Sequence, residues 1–157
     1  MRTKIHAFAG AIALLMVSIF WGSTAWSELF GDENAVIWVK TAVLNGMLVL
    51  VPAMMVAGAS GAFLGRGRQG SLISKKKERM AVIGGNGLLV LLPSAVFLAM
   101  RAQSGQLDAL FYGIQAVELV AGAVNITLLT LNMRDGFAMT RKRRQAAASR
   151  RFSEARN

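Results

Sequence analysis

The chain has 157 residues, 54 % of them hydrophobic, and a formal net charge of +10. A water-soluble domain scatters its charges and holds less apolar residue, so this pairing points to apolar spans with charges at their ends. One domain fits the length, and the absence of cysteine excludes disulfides, thiolate metal sites and thiol chemistry.

Four apolar segments follow in chain order, at about 6–26, 35–57, 81–100 and 109–133. Each reaches the roughly 20 residues needed to cross a hydrocarbon core of ~30 Å. Backbone groups must pair inside lipid, and none of the segments alternates as a strand would, so helices are expected throughout. The expected fold is all-α: a polytopic four-transmembrane-helix bundle over residues 1–140, followed by a basic tail over 141–157.

The first segment opens with "MRTK" and ends near Ser23-Thr24-Ala25. That layout also suits a signal peptide, but the segment is expected to be retained as span one. Its His6, the single histidine, lies at the basic mouth of the span and is a candidate axial ligand for haem b. Met54, Met55 and Met80 lie toward the same side, and two copies of His6 across a dimer would also serve. The alternative is an interfacial histidine near lipid headgroups. Trp21 and Trp26, with Trp38 of the second span, are expected to form an outer aromatic belt.

The second span carries Lys40 and the phrase "NGMLVLVP" (45–52), which the third span repeats as "NGLLVLLP" (86–93). Pro52 and Pro93 are the chain's only prolines. Each removes the hydrogen bond to the carbonyl four residues earlier, at Leu48 and Leu89. In antiparallel neighbours, Asn45 falls at the depth of Pro93 and Asn86 at the depth of Pro52. One reading is a reciprocal clamp, each asparagine donating to the carbonyl freed on the facing helix. The other is two tolerated kinks, each satisfied within its own helix. Ala57–Gly61 is small-residue spacing suited to close helix contact. Gly84-Gly85-Asn86-Gly87 lacks the Lys and Ser/Thr of a phosphate loop.

On the fourth span Gln115, Glu118, Gly122, Asn125 and Asn132 share one helix face. Lipid does not solvate such a stripe, so it should face the bundle interior or a partner. Glu118 lies near the midplane, where an ionised carboxylate costs at least ~2.5 kcal/mol. Lys40, slightly nearer the outer surface, is its candidate partner. The alternative has Lys40 reaching outward to Asp32 or Glu33 while Glu118 stays protonated. Asn125-Ile126-Thr127 matches a glycosylation pattern by chance, buried as it is in a span.

Basic residues set the expected orientation. Of the 18 Lys and Arg, only Lys40 and Arg101 lie away from the N-terminus, the 66–79 loop and the C-terminal tail. The first outer loop, "SELFGDEN", is acidic. Both termini are therefore expected in the cytoplasm. Lys75, Lys76, Lys77, Arg141, Lys142, Arg143 and Arg144 are expected to contact anionic lipid rather than nucleic acid. The tail is expected to lie on the bilayer as a helix or to be a disordered end.

"SELFG", "NGLLVLLP" and "ELVAGAVNITLLTLNMRDG" resemble, along most of the chain, a group of four-helix inner-membrane proteins of proteobacteria. The resemblance implies a four-helix architecture and a bacterial inner (plasma) membrane, and it brings no activity or ligand residues. Small multidrug transporters differ, because their essential carboxylate lies in the first span. Here that span has none before Glu28.

No nucleophile–base pair, metal cluster or HExxH motif is present. The expected function is non-enzymatic: a binding, assembly or accessory subunit with a polar interior seam, working as a homo-oligomer or within a larger membrane complex and without a cofactor. The alternatives are an electron carrier with haem on His6 and a proton or cation pathway through Glu118.

Overall fold

A computed structural model of the chain describes residues 2–66 and 71–154. They form α1 (Arg2–Phe30), α2 (Glu33–Leu64), α3 (Ser71–Asn86), a π-helical turn (Gly87–Leu91), α4 (Leu92–Gln103) and α5 (Ala109–Glu154). The segment from α3 through the π turn to α4 is one continuous rod. Four helices are thus long and apolar enough to cross a membrane, and no strand occurs among the described residues.

The helices outrun the apolar segments because hydrogen bonding continues until a cap stops it. Residues of the expected acidic loop complete α1 and begin α2, leaving Gly31 and Asp32 as the whole connection. Asp32 caps α2, accepting the Ala35 N–H at 2.8 Å. At the end of α4 the chain reverses through Gly105, whose φ of +67° suits glycine. The Gln106 N–H bonds the Arg101 carbonyl at 2.9 Å and closes that helix end. Asp108 then caps α5. The tail continues α5 without a break to Glu154, so this helix of 46 residues extends about 69 Å.

The helices pack in a ring, α1 against α2, α2 against the α3–α4 rod, that rod against α5, and α5 against α1. α2 and α5 therefore lie on a diagonal with no backbone approach. Alanines and valines make up much of the interior, with Ala13, Ala57, Ala95, Ala99, Ala102, Val17, Val36, Val39 and Val43 buried beside the larger Ile83, Leu98 and Phe111. Other large side chains, such as Leu15, Ile19, Leu48, Met55, Leu89 and Val120, point outward. At Gly46 a Cβ would lie 2.4 Å from Cζ of Phe20, so only glycine lets that ring close on α2.

The repeated octapeptides adopt different structures. Around Pro52, α2 stays α-helical. Ahead of Pro93 the rod widens, and the Leu92 N–H reaches back five residues to the Gly87 carbonyl. Such a turn takes up the misfit that a proline imposes on the preceding carbonyl.

Candidate functional site

Buried polar side chains run along the bundle axis on α5. Gln115, Glu118, Asn125 and Asn132 are all interior, and their three- and four-residue spacing keeps them in phase with buried Phe111 and Leu129. Gly122, in the same row, takes the Trp21 ring, whose Cδ1 is 3.0 Å from the Cβ position. The Trp21 Nε1–H donates to the Leu119 carbonyl at 2.8 Å. Trp21 therefore faces α5 with its rim still 38 % exposed, while Trp26 and Trp38 are more exposed.

The cluster at the end of the bundle away from the chain termini centres on Lys40. Its position four residues after Val36 and three before Val43 turns it inward on α2. The ammonium crosses the diagonal and donates to Oε2 of Glu118 at 2.6 Å, with Lys40 1 % and Glu118 9 % exposed. Lys40 does not turn toward Asp32 or Glu33. Gln115, one turn away on α5, is buried with neither amide atom bonded. α1 adds Glu28, within electrostatic reach of both Lys40 and Glu118, with Oε1 shielded and without a hydrogen-bond partner. One lysine thus has two carboxylates within electrostatic reach. Thr24 and Ser27 are buried on the same helix, and the Ser27 hydroxyl donates to the Thr24 carbonyl. Beside Glu118 lies a cavity of about 40 Å³ lined mainly by Phe20, Trp21, Met47, Leu50 and Leu91.

The middle of the seam is an amide junction. Asn86 donates to Oδ1 of Asn125 and to the Ala121 carbonyl, both at 2.9 Å. Asn125 donates onward to the Ile83 carbonyl at 3.4 Å. The reciprocal clamp between the second and third spans is therefore corrected: Asn86 ties the third span to the fourth. Asn45 follows buried Val43 by two residues, about 200° around α2, and so faces outward without a hydrogen bond. Pro52 and Pro93 are likewise exposed. Helical phase, not depth, decides these partners.

Toward the basic end, Asn132 is buried with its amide unpartnered. Arg79 then pairs with Asp135 at 2.7 Å. The sequence reading missed this pair because it counted Arg79 among the loop charges. It also missed Glu28, although Glu28 falls in step with buried Thr24 and Ser27. Lys75, Lys77 and Arg141 are exposed and Lys76 partly so. Lys142, Arg143 and Arg144 lie in α5, but their side chains fall outside the described ones.

His6 lies against α2. Its Nδ1 is 3.0 Å from the Ala57 carbonyl and 3.1 Å from the Ser60 hydroxyl, and the ring covers Gly61. Donation from Nδ1 to the carbonyl leaves Nε2 as the ring's free lone pair. Met54 packs in the interior and Met55 faces outward. No group of three or more His, Asp or Glu gathers for a metal among the described residues.

No family model, curated protein or solved structure matches the chain.

Proposed function

We propose that the chain is a multi-pass protein of a bacterial inner membrane, with both termini cytoplasmic, and that it acts without catalysis as an assembly or accessory subunit. Its distribution of side chains supports the membrane reading: large apolar groups outside, amides and charges inside, as lipid requires. Lys40 and Arg101 aside, the basic residues collect at one end, next to anionic headgroups in this orientation.

One observation carries the assembly reading. Polar side chains bond across helices at Lys40–Glu118 and at Asn86–Asn125, and the pocket of about 40 Å³ beside Glu118 is small and lined mostly by apolar side chains. These bonds fasten α2 and the α3–α4 rod to α5 rather than lining a chamber for an organic substrate, which leaves the outer surface and the basic end for partners. Native mass measurement of the protein released into mild detergent tests this, with a species larger than one chain expected. A monomer under every condition overturns the reading. A Soret band in the same material would move it to a haem carrier using His6. Orientation is read from single cysteines, with Ser74→Cys protected from an impermeant maleimide added outside cells and Gln106→Cys labelled.

A second reading, proton or cation binding, is favoured by Glu28. Its unpartnered oxygen beside the Lys40–Glu118 pair leaves one carboxylate in excess. Proteoliposomes separate the two readings: no proton flux above empty vesicles is expected of a fastening seam. Flux abolished by Glu118→Gln would transfer the function to this cluster.

A further inference from the structure

The geometry points to a second copy of this chain docking on the outward face of α2, in parallel and about a twofold axis along the helices, with Asn45 meeting its own counterpart. Ala42, Asn45, Val49, Pro52, Val56 and Ala59 are all exposed. They recur at steps of three and four, the seven-residue repeat by which two helices wrap along a seam. This stripe is separate from the buried face of α2, so occupying it leaves Lys40 undisturbed. Alanines near both ends of the stripe allow close backbone approach.

Asn45 supplies the reason for a partner. Among the described residues of the four apolar segments it is the one amide side chain that is exposed, and it bonds nothing. An amide carries both donors and an acceptor, so it complements a copy of itself across a twofold axis. A second acceptor lies one turn away. Pro52 has no N–H for the Leu48 carbonyl, and Leu48 is 79 % exposed. Lipid satisfies neither group. A single asparagine within an otherwise apolar seam also fixes register and the number of helices.

The inference rests on the membrane-spanning reading, and its test keeps the two apart. The chain has no cysteine, so single cysteines need no background removal. Ala42→Cys, Val49→Cys and Ala59→Cys are oxidised in native membranes beside the outward-facing controls Leu15→Cys and Val120→Cys. Disulfide-linked dimers are expected at the three stripe positions and not at the controls. Adding Asn45→Leu to Ala42→Cys should lower the dimer yield about five- to tenfold, while Asn45→Gln keeps it within about twofold. Stripe cross-linking no stronger than at the controls, or cross-links to a different protein, overturns the inference. Alkaline extraction of the same membranes isolates the parent reading. A chain released by alkali sinks that reading, whereas a retained chain without stripe cross-links sinks the dimer alone.

Discussion

Lys40 and Glu118 close a 2.6 Å ion pair between two helices whose backbones do not approach each other. The length of the lysine stem makes this possible, and it makes the pair a brace across the centre of the ring. Removing one member leaves the other charge buried without its partner, which costs about 3–5 kcal/mol. Lys40→Met and Glu118→Gln are each expected to lower stability on that scale in detergent unfolding. The double variant Lys40→Met/Glu118→Leu should recover most of the loss, since a well-packed apolar replacement is often neutral. Losses that simply add in the double variant would show that the two groups are uncoupled.

The junction of Asn86 and Asn125 joins α3 to α5 at mid-bundle. Interhelical bonds of this kind in membranes contribute about 0.6 kcal/mol on average and about 1.7 at most. Asn86→Leu breaks two bonds and should destabilise the monomer by about 1–2 kcal/mol, with Asn125→Leu adding little in the double variant. Asn45→Leu, from the matching octapeptide, should leave the monomer within about 0.5 kcal/mol of the wild type. Equal losses at Asn45 and Asn86 would contradict the different environments of the two amides.

That contrast marks what the sequence discloses. The number of long helices follows from hydropathy and length, and the inward stripe of α5 follows from its three- and four-residue spacing. Lys40 and Glu118 are found because both lie in apolar segments at similar depth and a lysine tolerates error in reach. Asn45 and Asn86 have short side chains, so depth alone misplaces them. Counting around the helix from Val43 turns Asn45 outward, whereas the same count from Ile83 turns Asn86 inward. The π turn has no local signature, because nearly the same eight residues stay α-helical in α2.

Asp108 links the reversal between α4 and α5 to pH. Its Oδ1 accepts the Phe111 N–H at 3.0 Å and its Oδ2 pairs with Arg101. The Phe111 N–H first, and the Arg101 charge after it, hold this carboxyl below the usual aspartate value. The unfolded chain therefore takes up the proton at higher pH than the folded one. The cap's contribution is full above the ordinary aspartate value of about 4 and is lost as pH falls through the lower folded value. Asp108→Ala should melt a few degrees below wild type at neutral pH, and the gap should narrow in acid below about pH 4. A gap unchanged in acid would mean that the ionised carboxylate is not what caps α5.

The π turn makes a prediction about chain length. It accommodates one residue more than an α-helix between Asn86, facing α5, and buried Ala95, facing α2. Deleting Leu89, which is exposed, should let the turn relax to α-helix while residues on both sides keep their faces. Deleting Leu48 at the matching point of α2 has no such slack. It rotates one half of that helix by about 100° against the other, so that Lys40 and Leu50 no longer both face inward. The Leu89 deletion should thus accumulate in membranes and elute from size exclusion as the wild type does. The Leu48 deletion should be degraded or aggregate. If the two behave alike, the widened turn stores no removable residue, and the irregularity belongs to Pro93 itself.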